Sequence, residues 1–354
     1  MFEIRAGRES DKAEILELIK DVFGADQALR AERRWHWQWQ EDPRLDRPGY
    51  QGVVAEWDGR VIGTLSSIPC GLYLAGQPVA ASWFTDSVVH WGRLRRALRE
   101  QKRRGEPAGP DLSGGIAAAL MNHPAAGDIQ LGKHITGPMV AIGSKIGFTP
   151  LKDMGSWARL ISFRQPLESM LGKYAGMLLA SVADLFITKI PKPSLAVTPL
   201  EGDFDPRFDE LWASAKREYP AITRRDRATL DWRYRRHPDT AYTVLTVEDK
   251  GVLSGYLVYS IFFRHGQRRA IIVDALAQYG NTLALGSLIA AALRQMRLGG
   301  VHKVECYSGG SMLTSELKRA GFAPRIKKGK DHPTMVRGLP DVDLYITRGD
   351  GDGG

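Results

Sequence analysis

The feature that most constrains this chain is that it repeats itself. The stretch ERRWHWQWQEDP sets Trp37, Trp39 and Pro43 at the spacing at which LDWRYRRHP sets Trp232, Tyr234 and Pro238. GVVAEWDGRVIGTL then matches TVLTVEDKGVLSGYL, with Gly59 and Gly63 answering Gly251 and Gly255. Gly76 corresponds to Gly266 and Asp86 to Asp274, and each copy closes on Gly-Phe, at Gly147 and Phe148 and at Gly321 and Phe322. Landmarks kept in one order across two halves mark duplication of a folding unit. At 354 residues the chain is also longer than one hydrophobic core ordinarily supports.

Each copy reads as a helix, an aromatic-rich helix, antiparallel strands, a central strand, a helix, another strand and a last helix. Asp-Gly at Asp58 and Gly59 and Lys-Gly at Lys250 and Gly251, flanked by β-forming runs, are hairpin signals. Strands paired first as hairpins and then joined through helical crossovers imply an α/β fold, each copy a mixed, mostly antiparallel sheet flanked by helices. The leading helix of the second copy is read in DPRFDELWASAKREY, where Phe208, Leu211, Trp212 and Ala215 recur at helical spacing. The expected domains are residues 1–164 and 196–348, joined by a linker helix over 165–195 and followed by a frayed tail at 349–354. Trp35, Trp37 and Trp39 are assigned to packing, because two of them recur as Trp232 and Tyr234.

The linker QPLESMLGKYAGMLLASVADLFITKIPKP carries Leu167, Met170, Leu171, Met177, Leu178, Val182, Leu185 and Phe186 on an amphipathic pattern. Glu168, Lys173 and Asp184 interrupt it too often for a membrane span, and a connecting helix packed between the domains is expected in preference to one lying on a membrane. The first residues contain no apolar run of the secretory kind. Cys70 and Cys306 have neither disulfide-framework nor metal-ligand spacing, and a reducing cytoplasm is the expected compartment. His90 and His123 form no ligand pattern with an acidic neighbour, so no metal is expected. Composition, 43% hydrophobic and 25% charged, is that of a globular protein. A net charge of +9, concentrated in Arg93 to Arg104 and Lys318 to Lys330, suits solvated faces or an anionic partner.

Between the central strand of the first copy and its next helix lies PDLSGGIAAALM. Gly114 and Gly115 open into Ile116, Ala117 and Ala118, a turn whose backbone N–H groups converge and whose glycines leave room for a phosphate. With DSVVH at Asp86 to His90, Pro110, Gly115-Ile116-Ala117 and Lys145-Ile146-Gly147-Phe148, the series resembles the GNAT superfamily of N-acyltransferases, and with both copies counted the resemblance covers nearly the whole chain. It implies two tandem GNAT-like domains, the first binding acetyl-CoA or another acyl-CoA and the second degenerate. Three departures stand out: Leu112 replaces the family's Arg or Gln, residues 91–109 are an Arg-rich insertion, and Gly143 stands where many members carry a Tyr acid.

The activity implied is direct attack of an amine on the thioester. A backbone N–H of Ser87, Val88 or Val89 is expected to polarise the carbonyl. Asp86 is the first candidate base and Glu56 the second, with His134 as a proton shuttle. The recurrence of Asp86 as Asp274 allows a structural role equally. Acceptors of the expected class are amines on small molecules, amino sugars or peptides. Two further readings are a transferase that uses aminoacyl-tRNA, as the Fem-type enzymes do, and a tandem domain that binds a partner without catalysis. In the second copy Gly286 and Ser287 do not reproduce the spaced loop, and no coenzyme is expected there.

Overall fold

The computed structural model describes residues 2–106, 115–133, 137–151, 154–186, 189–325 and 333–351. In chain order the first half forms β1 (Phe2–Ala6), α1 (Lys12–Phe23), α2 (Ala25–Trp39), β2 (Gly52–Trp57), β3 (Arg60–Pro69), β4 (Leu72–Leu74), β5 (Gln77–Val79) and β6 (Ala81–Val89). There follow α3 (Trp91–Arg103), α4 (Ile116–Asn122), β7 (Ile129–Gly132), α5 (Gly137–Lys145), β8 (Thr149–Pro150), β9 (Gly155–Leu160), α6 (Arg164–Leu171) and α7 (Lys173–Phe186). The second half holds β10 (Val197–Pro199), α8 (Pro206–Glu218), β11 (Ala221–Thr223), α9 (Arg227–Tyr234), β12 (Thr243–Asp249), β13 (Val252–Arg264) and β14 (Gln267–Ala277). It ends with α10 (Thr282–Leu298), β15 (Lys303–Gly309), α11 (Ser311–Arg319), β16 (Ala323–Pro324), β17 (Met335–Arg337) and β18 (Leu344–Thr347).

Two compact units result, each with its own mixed sheet and flanking helices, and they do not follow chain order. The first comprises residues 1–72, 78–151 and 330–342, the second 73–77, 152–329 and 343–354. The first sheet runs β1-β2-β3-β6-β7-β17-β8, so a late strand, β17, sits among early ones. Met335 faces Gly132 and Pro150 there. Conversely β9 belongs to the second unit, where Cys306 of β15 faces Trp157. The expected boundaries at 164 and 196 therefore differ from the compact units by an exchange of strands, a non-local pairing with no signature in either strand's own residues.

Local elements follow from their residues. The hairpin turns place Asp58 and Lys250 at φ 46° and 51°, each followed by a glycine at φ 80° and 78°. Two positive φ values in succession make the turn whose twist matches that of paired strands. Helix α8 starts at Pro206 behind Asp205, whose carboxylate accepts from Arg207 N, and buries Phe208, Leu211, Trp212 and Ala215, the stripe read from the sequence. Trp35, Trp37, Trp39, Trp232 and Tyr234 are all buried. Cys70 and Cys306 are free and buried.

Helix α9 is capped by Asp226, which accepts from Thr229 N at 3.0 Å and from Arg224 Nε at 2.6 Å. Burial works against its charge, yet the Thr229 and Arg224 bonds outweigh it and hold the carboxyl below its usual range. A depressed pKa contributes stability above the ordinary carboxylate value, and that stability is lost as pH falls through the folded value. Asp226→Ala is therefore expected to cost about 1 kcal/mol at neutral pH. The deficit should shrink in acid, which paired urea titrations at pH 7 and pH 3 would read.

The segment between the copies is not the single helix expected. It is a hairpin of α6 and α7 within the second unit, closed so tightly that a Cβ on Gly176 would lie 2.4 Å from Glu168 N. No described helix is long and apolar enough to cross a membrane.

Candidate functional site

Strand β6 lies at the centre of the first sheet, antiparallel to β3 and parallel to β7. Its register with β7 runs from Ala81 opposite Ile129 to Phe84 opposite Gly132, where β7 ends. β6 continues through Thr85 to Val89, and among the described residues no strand pairs with it on that side beyond Phe84. On the other side the β3 register is broken: Ser66 faces Thr85, while Thr64 faces Val88. The surplus residues form a bulge, and Asp86 in it has φ 43°. Bulges re-aim side chains, and aspartate tolerates this left-handed region better than most residues.

Backbone polar groups alternate along a strand. His90 N donates to Ile62 O of β3 at 2.9 Å, so Val88 also turns toward β3 and Val89 turns its N–H to the edge that β7 has left. Beneath the bulge lies a buried chain of hydroxyls. Tyr50 Oη is 2.6 Å from Thr64 Oγ1 and 2.7 Å from Ser66 Oγ. Thr64 donates to Val53 O at 3.2 Å, so it accepts from Tyr50, which in turn accepts from Ser66. Burial raises the Tyr50 phenol well above its ordinary range, and the charge of Asp86 adds to the shift. Asp86 itself is half-buried.

Helix α4 arrives at the same place. Gly115, at φ 84°, precedes it without a side-chain cap, and the first helical bond runs from Ala119 N to Gly115 O at 3.1 Å. Gly63 of β3 lies beside both β6 and α4, where even a Cβ would make only ordinary contacts. A Cβ there would sit 3.4 Å from Val88 O and 3.5 Å from both Ile116 Cδ1 and Val89 Cγ2. Ile116, Ala117 and Ala118 bury their side chains, and Ser87 stands between Asp86 and Val88 at the bulge. Gly114 and His134, like Leu112, lie outside the described residues.

Glu56 is occupied elsewhere. Arg5 donates to it at 2.6 Å and 3.0 Å and holds Asp11 with two bonds of 2.8 Å, tying β1, β2 and the turn before α1 together. Of the Arg-rich insertion the described part is α3. His90 Nδ1 accepts from Arg93 N at its start, at 3.2 Å. Arg60, Arg93 and Arg96 wall a cavity of about 370 Å³ there, beside Trp57, Ile62 and His90. At the other end of β6 a second cavity, about 420 Å³, is lined by Gln51, Ser67, Ser82, Arg44 and Asp46 among others. Because Ser67 faces Phe84, it reaches the rung next to the bulge. Sequence reading missed this cleft, whose walls come from the segment after α2, from β3, β5 and β6, and from the turn before β7. Among the described residues no three His, Cys, Asp or Glu side chains gather as for a metal ion.

The second unit repeats the frame with different contents. Asp274 faces Val258 next to a bulge at Val273; it is buried and accepts from Arg225 at 3.2 Å and from Tyr256 Oη at 2.9 Å. Asn281 caps α10 through Ala284 N at 3.0 Å. Ser287 Oγ accepts from Ser194 N at 3.2 Å and Leu195 N at 3.1 Å, so the chain's own segment lies across the helix where the first copy would meet a ligand.

Residues 3–101 match the family model described as an acetyltransferase (GNAT) domain. That stretch of the first unit is thus similar to a GNAT domain. The match takes in β1 through α3 and thus the bulged central strand of that domain. Solved structures extend the likeness in fold to the whole chain. A GCN5-related N-acetyltransferase from Anabaena variabilis is similar with a TM-score of 0.59 at 15% identity, over 95% of this chain and 72% of that one. A probable N-acyltransferase from Enterococcus faecalis gives 0.58 at 10% identity, over 95% and 72%. N-myristoyltransferase from Saccharomyces cerevisiae, with bound myristoyl-CoA, gives 0.54 at 11% identity, over 97% and 84%. Among curated proteins no sequence matches. The chain is thus α/β with two tandem GNAT-like domains, and its fold is that of acyltransferases.

Proposed function

We propose that this protein is an N-acyltransferase that moves an acyl group from acyl-CoA to an amine, with the chemistry at the bulge of β6 in the first unit. The observation that carries the reading is the edge of β6 past Phe84, with which no described strand pairs, with Val89 turned toward it and Ile116, at the start of α4, at the same rung. A thioester laid along that edge would place its carbonyl oxygen on a backbone donor whose position the strand fixes in advance. Of Ser87, Val88 and Val89, the donor assigned is Val89. The amides of Gly115, Ile116, Ala117 and Ala118 are assigned to the coenzyme's pyrophosphate, and Gly114, outside the described residues, remains a proposed member of that turn. Arg96 adds positive potential at that end of the strand, whereas Arg60 and Arg93 are paired with Glu17 and Asp21.

The acceptor amine enters from the cleft at the opposite end of β6, past Asp46. Its nitrogen lone pair attacks the thioester carbon. The oxyanion forms on the Val89 N–H, then collapses, and the C–S bond breaks with its electron pair leaving on sulfur. Asp86 takes the proton that the nitrogen sheds, and solvent returns one to the thiolate. Glu56, held by Arg5, anchors β1 in this scheme. His134 remains a proposed shuttle. The second unit completes the fold without a coenzyme of its own. Acetyl and longer acyl groups are both within the class, since the similar structures include an acetyltransferase and one that holds myristoyl-CoA.

Calorimetric titration with acetyl-CoA, myristoyl-CoA and desulfo-coenzyme A tests this. One-to-one saturable binding is expected, reduced at least about tenfold by Gly115→Glu, because a carboxylate at the turn meets the pyrophosphate; since any side chain strains the turn at φ 84°, Gly115→Ala, with the strain but not the charge, is the control. No binding at millimolar ligand would overturn the proposal.

A further inference from the structure

The α6–α7 hairpin is built inside out. Its inner face uses small residues: Gly176 meets the backbone of α6, and Ala180 is 2% exposed. The large apolar side chains point away. Met170 and Tyr174 are each 77% exposed, Leu178 68% and Val182 56%, the last three following one face of α7 at a spacing of four. Leaving such side chains in water forgoes the gain of burial, and a contiguous apolar face of this kind marks an interaction site.

More of the same character gathers at the hairpin's base. Asp184 of α7 accepts from Phe163 N at 2.7 Å and pairs with Arg297 at 3.5 Å, next to Leu298, which is 90% exposed. Ile161 N donates to His302 O at 2.8 Å, and His302 N donates to Arg268 O at 3.2 Å. Arg268 faces Phe263 across the β13–β14 hairpin, and Phe263 too is exposed.

Charge selects the occupant. Both described acids of the hairpin are spent within the fold, Glu168 on Arg164 at 2.8 Å and Asp184 as above. The charges that stand outward among the apolar side chains are positive. Lys173 lies at the α6–α7 turn and Arg264 beside Phe263. Both are exposed, and among the described residues neither has a carboxylate partner. Apolar side chains with a tyrosine and flanking cations are what an anionic bilayer surface receives: the former enter the acyl boundary while the latter meet the phosphates. We propose that the second unit docks through this face, α6–α7 foremost, on the surface of an anionic lipid bilayer. The inference is independent of the catalytic reading.

The test is co-sedimentation of the full chain with vesicles of phosphatidylcholine alone and with phosphatidylglycerol added, at low and high salt. Binding is expected to the anionic vesicles, weakening with salt. It should fall at least about tenfold for Tyr174→Glu/Leu178→Glu and several-fold for Lys173→Glu, whose fold cannot depend on a buried contact at that exposed position. The wild type failing to bind anionic vesicles, binding neutral ones equally, or the variants binding unchanged would each overturn the proposal. So would a concentration-dependent dimer in analytical ultracentrifugation that Tyr174→Glu/Leu178→Glu abolishes without any vesicle binding, since the face would then belong to a second copy.

Discussion

Asp86→Asn is expected to lower kcat for acyl transfer by about a hundredfold to ten-thousandfold, the usual contribution of a positioned base. The substitution is chosen for its backbone. Asparagine is as tolerant as aspartate of the φ of 43° at this bulge, so β6 keeps its course and Val89 its direction. The melting temperature and the affinity for acyl-CoA should therefore stay as they are, and the loss should appear in kcat rather than in coenzyme binding. The rising limb of the pH–rate profile should flatten as well, because the amide has no proton to lose. A variant that keeps both its rate and its pH dependence would make Asp86 a structural residue and send the search for a base to the cleft lined by Ser67 and Ser82.

Much of this architecture was legible because it is local. The Asp-Gly and Lys-Gly turns, the four buried positions of α8 and the buried tryptophans each follow from residues within one turn or one helix. What escaped is what depends on distant partners. Nothing in GSWARL or MVR says that β9 and β17 will pair outside their own copies. Glu56 looks like an available base until Arg5, on β1, is found to hold it. Ser287 gives no hint that the chain from Ser194 will cross it. The linker misled for a different reason. Its apolar spacing is that of a packed helix, but Gly176 and Ala180 form the packing face and the large side chains the outer one. The bulge at Asp86 was invisible too, since a register break belongs to two strands at once.

The same position does different work in the second copy, and Arg225→Leu should show how much. Arg225 is 2% exposed. Its guanidinium donates to Asp274 at 3.2 Å, to Asp350 at 2.6 Å, and to Thr223 at 2.9 Å and 2.7 Å. It also lies over the Tyr345 ring, 5.3 Å from its centroid. One cation thus serves two buried carboxylates from β14 and the chain after β18. Burial works to raise both acids. The Arg225 charge, with bonds from Thr223 and Thr347 N, outweighs it at Asp350 and holds that group low, whereas Asp274, which also faces Asp350, is pushed up. Removing the cation leaves two carboxyls facing each other with only neutral donors and the charge of Arg233 to offset them, and breaking a buried pair in this way costs roughly 3–5 kcal/mol. Arg225→Lys should recover part of it, keeping the charge without the fork. The sign with pH is also set. In Arg225→Leu both folded carboxyl pKa values rise, and a raised acid loses stability as pH climbs through the folded value. The deficit should then be full at neutral pH and shrink toward the ordinary carboxylate range, and adding Asp274→Asn should relieve part of it. Hydrogen exchange of β14 and β18 amides reads this unit directly, avoiding a two-state assumption for the whole chain. Unchanged protection would mean that Asp274 is as dispensable as a surface acid, and the contrast between a buried anchor in one copy and the proposed base in the other would fall with it.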